Sequence, residues 1–512
     1  MAKGSARARV AALVRRLAPG GSAAEQAEAA HALARLCFDK GPLREHVRRC
    51  GGITALDMLL APGSSAAVHE QAAVALHNLC VDNAQNQASI RDCGGVAALV
   101  GLLAPGSSVA MHEQAAATLR SLCGDSMQNC DSVRECGGVA ALVALLAPGS
   151  TPAVHEQAAA ALANLCSHST QNSDSMRECG GVPALIALLA PGRSAGVQKR
   201  AAGALANFCI TSTQNQDSMR ECGGVAALVG LLAPGRSNGV QKLAAAALGN
   251  LCCKNIANKD SVRECGGVTG LVGLLAPGGS AALHTQAAWA LHCLCADRTQ
   301  SQDNLRECGG VAALVGLLAP RSSAAVQEQA ALALSVCFQD VQNSDGVGEC
   351  GGVTALLGLL APGKTDAVHE SAARALRNMC RQSTKNQDSM RECGGVAALV
   401  GLLAPGSPAA VHEQAAAALS TLCHKNSQNY DSVREGRGAA ALVGLLAPGS
   451  PAVVHQIAAC ALFNLTSASG QCRDAVRACG GVAALEGVLA CASCSATARE
   501  SAAKALRNLG HV

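Results

Sequence analysis

Aromatic residues are almost missing from this chain: one Trp, one Tyr and four Phe among 512 residues, or 1%. A core must therefore be built from Ala, Leu, Val and Cys, which let helices approach closely but bury little area each. Strong charge is also missing. The formal net charge is +4, with no aromatic platforms or concentrated Lys/Arg, so nucleic acid is not an expected partner. Apolar runs reach only about a dozen residues before a Pro-Gly, too short to span a bilayer, so no integral membrane segment is expected. Arg15 and Arg16 interrupt the first apolar stretch, and no secretory h-region is visible. No P-loop, dinucleotide fingerprint or nucleophile elbow is present. The expectation is a protein that is not an enzyme and carries no cofactor.

What the chain does have is a repeat. A Gly-Gly pair begins at Gly51, Gly94, Gly137, Gly180, Gly223, Gly266, Gly309, Gly351, Gly394 and Gly480, at steps of 43 residues with one step of 42 and one double step, from Gly394 to Gly480, across Arg437-Gly438. The short step coincides with "LLAPRSS" at Leu317 to Ser323, which lacks the Gly that follows Pro in its siblings. A period of this size marks stacked small units, each unable to bury its own apolar face alone. Units start near Ala8, Gly51, Gly94, Gly137, Gly180, Gly223, Gly266, Gly309, Gly351, Gly394, Arg437 and Gly480. With no composition break between them, residues 1–512 read as a single continuous array.

One unit shows the local pattern. "TQNQDSMREC" from Thr213 is polar, with Asn215 in front to cap a short helix and Gly223 behind to end it in a left-handed conformation. Asn recurs at this position as Asn86, Asn129, Asn172, Asn258, Asn343, Asn386 and Asn429. In "GGVAALVGLLAPG", Val225, Leu228, Val229 and Leu232 share one helical face, and Pro234-Gly235 stops it. In "SNGVQKLAAAALGNLC", Val240, Leu243, Ala244, Ala247, Leu248 and Leu251 make a second stripe. Each unit is thus a short helix and two longer ones, with no period of two to suggest a strand. The basic N-terminus, with no acid before Glu25, has the look of an organelle transit peptide. Yet "VAALVRRLAPG" from Val10 copies the repeat helix, and that reading is preferred.

This order and wording resemble the armadillo repeat, most closely in "GGVPALIALLAPG" at Gly180 and "HTQAAWALHCL" at His284. The resemblance covers nearly the whole chain. It implies an all-α fold, a right-handed superhelical solenoid of about twelve armadillo repeats, acting as a protein–protein interaction scaffold. It also implies a concave groove lined by the third helices, where a Trp and an Asn four residues later share a face, and where the Asn amide holds an extended peptide by its backbone. The Asn position is filled by Asn78, Asn164, Asn207, Asn250, Asn378, Asn464 and Asn508, and elsewhere reads Arg35, Ser121, Cys293, Val336 and Thr421. The Trp position is filled only by Trp289; its counterparts include Val74, Ala117, Ala160, Gly203 and Ala246. The missing Trp walls argue against a nuclear-import adaptor. A structural, organelle or cytoskeletal scaffold is the other alternative.

One turn before the Trp position the charge changes sign twice. It reads Glu70, Glu113 and Glu156, then Lys199 and Lys242, then Thr285, then Glu328, Glu370 and Glu413, with Arg200 beside Lys199 and with Arg193 and Arg236 ahead of those two helices. The expected partner is an extended protein segment, acidic in the middle and basic at its flanks.

The repeat also accounts for most apparent chemistry. Of 27 cysteines, one set precedes Gly-Gly (Cys50 to Cys479) and another ends the third helices (Cys37 to Cys423); both are read as small buried residues. Free thiols suit a reducing compartment, so the expected location is cytoplasmic or nuclear. Cys491 and Cys494 form a CxxC, but no second pair follows, and no metal site is expected. "VHEQA" at His69, His112, His155 and His412 lacks the second His of HExxH; its His takes the place of Gln198, Gln241 and Gln327. The array is expected to be a monomer with some tendency to self-associate, since near-identical units invite register slips and swapping.

Overall fold

The computed structural model describes residues 2–38, 41–210, 212–337, 341–423 and 426–511. Among them every regular element is a helix, and the helices follow one another in the order short, second, third. The chain divides into two compact units, Met1–Cys265 and Gly266–Val512. In the first, the third helices are Ala23–Cys37, Ala66–Cys80, Val109–Leu122, Pro152–His168, Ala195–Ile210 and Asn238–Cys252. In the second they are Ala281–Cys295, Ala324–Ser335, Asp366–Gln382, Ala409–Cys423, Ala452–Ala468 and Ala496–Leu509. Within each unit, consecutive third helices pack side by side into a layer, with the short and second helices outside it.

The Gly-Gly pair has two separate jobs. Gly180 takes φ +73° as the N-cap of helix Gly181–Ala187, a left-handed conformation that costs an ordinary residue about 1 kcal/mol. Gly181 leaves no room: a Cβ there would stand 2.5 Å from Met176 Cγ and 2.9 Å from the Met176 carbonyl. The first job is filled by a non-glycine once, where Arg437 adopts φ +60°. Most third helices start on a Ser or Thr whose hydroxyl accepts from the third helical N–H, as Ser237 does from Val240 and Thr365 from Val368, while Ala452–Ala468 starts on Pro451 with no side-chain cap.

The predicted stripes are mostly buried: Val225 is 2% exposed, Leu228 0%, Val240 1%, Leu248 1% and Leu251 0%, whereas Val229 and Leu243, at the edges of the two stripes, are half-buried. The second helix is not one of two longer helices as expected: Gly224–Gly230 has 7 residues against 9 in the short helix Thr213–Glu221, because it ends before Leu231 and Leu232, which pack from the following turn. At the N-terminus, Val10, Leu13 and Leu17 are buried like their counterparts in later units, so helix Ala2–Arg16 is a copy of the second helix. None of the described helices is long and apolar enough to cross a membrane.

The short-helix Asn is not a cap. The N-cap of Ile256–Glu264 is Asn255, and Asn258 lies inside the first turn, fully buried. Its Nδ2 donates to the Leu251 carbonyl at 3.2 Å, closing the end of the preceding third helix. Its Oδ1 accepts from Arg220 Nε of the preceding unit at 2.9 Å. Arg91 with Asn129 (2.9 Å), Arg177 with Asn215 (3.0 Å) and Arg306 with Asn343 (3.0 Å) repeat this stitch. Where Gly348 replaces the Arg, Asn386 turns to the Ser344 carbonyl instead, at 2.8 Å. At 134/172 and 391/429 the pair does not close, and Arg Nε and Asn Oδ1 both stay orphaned.

Candidate peptide-binding face

The third helices bring the sequence-predicted Asn residues to equivalent places in each layer, all half-buried. Each donates through Nδ2 to the preceding third helix: Asn78 to the Ala34 carbonyl (3.0 Å), Asn164 to Arg120 (2.9 Å), Asn207 to Ala163 (2.8 Å), Asn250 to Ala206 (2.8 Å) and Asn378 to Ser335 (2.8 Å). Asn464 reaches the Ser420 hydroxyl at 2.8 Å, and Asn508 the hydroxyls of Thr466 and Ser467. The amide is therefore spent on the neighbouring unit. The Oδ1 atoms accept no bond from the described residues and are not sealed from solvent. The arrangement offers a row of oriented acceptors for backbone N–H groups, and not the two-sided grip on a peptide that a free amide would give. Trp289 is half-buried on the same helix face one turn earlier.

The charged positions behave unequally. Lys199 and Arg200 are exposed, and Lys242 is half-buried. Lys199 lies across the start of the next third helix, where its stem would be 3.5 Å from a Cβ at Gly239. Glu156 lies over Gly196 in the same way, against the first turn of Ala195–Ile210, and accepts from Ser194 at 3.4 Å; a carboxylate there is favoured by the helix dipole. Glu370 is paired with Arg374, so its charge is largely cancelled. Glu328 accepts from Gln329 and Glu413 from Gln414. Glu70 and Glu113 are half-buried on their helices. Sequence comparison missed Arg120, one residue before the Asn position. It donates to Gln157 at 2.8 Å; burial first, and Arg200 second, lower its pKa. Arg120, Lys199, Arg200 and Lys242 thus form the basic stretch of this layer. A cleft of about 730 Å³ opens beside it, lined by Arg120, Ser121 and Asn164 among others.

The two cysteine rows differ. Those ending the third helices are buried, and burial pushes the Cys80 and Cys166 thiols up to about 12. Those before Gly-Gly are not buried as expected: Cys136, Cys179, Cys222, Cys265, Cys350, Cys393 and Cys479 are exposed. Each is the C-cap of a short helix, a place that faces water in this fold. The histidines stand where Gln stands elsewhere. His69 Nε2 lies 3.1 Å from the Ala61 carbonyl and His155 Nε2 3.2 Å from that of Ala147, as Gln198 Nε2 lies 2.9 Å from that of Ala190.

No curated protein sequence matches the chain significantly. The family model described as the armadillo/beta-catenin-like repeat matches residues 83–124, 126–167, 169–210, 212–253 and 383–424. Each match runs from the N-cap of a short helix through the end of a third helix. Among solved structures, the crystal structure of an engineered protein is similar with a TM-score of 0.73 and 30% identity, over 81% of this chain and 98% of that one. With the repeat, the three-helix units and the stacked third helices in place, the chain belongs to the armadillo-repeat family.

Proposed function

We propose that this protein is a non-catalytic interaction scaffold that holds an extended segment of another protein along its third-helix layer. The observation that carries the reading is the row of asparagines whose Nδ2 is pinned to the neighbouring helix while Oδ1 stays open. A fixed acceptor repeated from helix to helix suits the backbone of an extended chain and is indifferent to its side chains. Selectivity then comes from charge: Arg120, Lys199, Arg200 and Lys242 favour an acidic stretch, and Glu70 and Glu113 favour a basic one beside it. The row of buried thiols, with all 27 cysteines unpaired, supports a reducing compartment, the cytoplasm or nucleus.

The test is fluorescence anisotropy with a library of extended peptides of graded charge pattern. Peptides with an acidic centre and a basic flank bind best. The double variant K199E/K242E reverses the preference for the acidic centre, and N207A/N250A weakens all peptides alike. Binding that ignores both pairs of substitutions overturns the reading.

A further inference from the structure

The loop before the last third helix breaks the repeat. Its predecessor, Leu446 to Pro451, reads "LAPGSP" and enters Ala452–Ala468. The last one, Leu489 to Ser495, reads "LACASCS" and enters Ala496–Leu509 one residue later in register. Cys491 and Ala492 stand where Pro448 and Gly449 stand before, and Cys494 is brought in with the extra residue.

Elsewhere this loop touches the His-or-Gln position of the preceding third helix. Arg236 Nη1 donates to Gln198 Oε1 at 3.4 Å, and Lys364 Nζ donates to Gln327 Oε1 at 2.9 Å. At the last junction the partner is His455. Its Nε2–H donates to the Ala447 carbonyl at 3.2 Å, which leaves Nδ1 with its lone pair. Cys494 Sγ lies 3.2 Å from that Nδ1. One ligand atom from each of His455, Cys491 and Cys494 lies within 4.8 Å of the other two. The loop is held in this shape by Ser495, which donates to Gln456 Oε1 at 2.8 Å, and by Arg499, whose Nη1 donates to the Cys491 carbonyl at 3.4 Å.

Two sulfurs and an imidazole nitrogen at this spacing suit a borderline-soft cation. Tetrahedral zinc, with Zn–S of about 2.3 Å and Zn–N of about 2.0 Å, places its ligand atoms roughly 3.5 Å apart. The backbone carbonyl on Nε2–H supplies the outer contact that orients a metal-bound histidine. We propose that His455, Cys491 and Cys494 bind one zinc ion, with water in the fourth position. The two thiol protons leave to solvent on binding, and the dication with two thiolates is neutral overall. The ion clamps the last loop to the third helix before it.

The experiment uses the full chain in reductant, loaded with zinc and dialysed, with metal content measured by mass spectrometry and cobalt substituted for zinc in parallel. H455Q is the decisive variant. Gln is the residue at Gln198, Gln241 and Gln327, and it keeps the bond to the Ala447 carbonyl while removing the ligand, so the fold survives. C491A removes a sulfur, and C222A removes an exposed cysteine far along the chain. The wild type and C222A each retain one tightly held zinc and show the thiolate-to-cobalt absorption of a tetrahedral site. H455Q and C491A lose affinity by about 100-fold or more and lose the tetrahedral spectrum, with unchanged circular dichroism. A wild type that retains no metal, or a cobalt spectrum the same in H455Q and C491A as in the wild type, overturns the proposal.

Discussion

The short helices and the third helices each carry an asparagine in most units, yet the two sets meet different surroundings. On the short helices the residue is sealed: Asn86, Asn172, Asn215, Asn258 and Asn429 are 0% exposed. On the third helices it is half open. Most of both sets reach a backbone carbonyl near the end of a third helix, but the buried set adds an arginine from the preceding unit where the pair closes, and the open set leaves its oxygen to solvent. The same amide, at the same period, thus serves cohesion on one side and leaves an acceptor open on the other. What separates the two is access to water, since a buried polar group left without a partner costs its full desolvation.

The largest effect expected from this contrast is Asn258→Ala. It strands the Leu251 carbonyl and Arg220 Nε at once, so urea unfolding should show a loss of about 2–3 kcal/mol. Asn207→Ala removes one half-exposed bond and should cost about 1 kcal/mol or less, while weakening peptides as described above. Equal costs for the two would erase the distinction between the rows.

A titration sharpens the same boundary. His77 adjoins Asn78, and burial, then Arg120, hold its pKa below the ordinary imidazole value of 6.5. The unfolded chain takes up this proton first, so the stability is complete above pH 6.5 and falls as pH drops from there toward the folded-state pKa. The slope for one proton is at most about 1.4 kcal/mol per pH unit. His77→Ala, the residue present at Ala34, Ala163 and Ala206, should flatten that part of the profile. The smallest effect belongs to the thiols: Cys222→Ala should stay within about 0.5 kcal/mol. A thiol reagent on the native protein should label Cys222 and its exposed siblings, and reach Cys209 only on unfolding.

Much of the fold is legible in the amino-acid sequence. The period set the unit, Gly-Gly and Pro-Gly set the breaks, and the stripes at Val225 and Val240 set the buried faces. What spacing could not tell was which neighbour a polar group would meet. Asn215 and its siblings looked like caps because Asn caps helices, but the carbonyl they serve belongs to the previous helix. Cys222 looked buried because Cys usually is, but its place at a helix end faces water. The partner of the CxxC was invisible for the same reason: His455 reads as one more helix start, and only the stacking of adjacent units carries it to Cys494. The open oxygens of Asn78 and Asn207 follow likewise from packing, whereas the sign changes at Glu156, Lys199 and Glu328 could be read directly.

Every stitch named here reaches no farther than the adjoining unit. Arg220 needs an Asn258 ahead of it, and the units that close the pair are alike, because Arg177 and Arg91 present the same guanidinium to Asn215 and Asn129. Among those units, a duplication or deletion that spans one whole repeat therefore creates a junction with its donor and acceptor already supplied. The missing residue near Pro320 shows that a connecting loop can also shorten by one while the helices on either side keep their places. The gene for such a chain is free to lengthen or shorten by unequal recombination in whole repeats, and the protein's reach can change between close relatives without a new interface having to evolve.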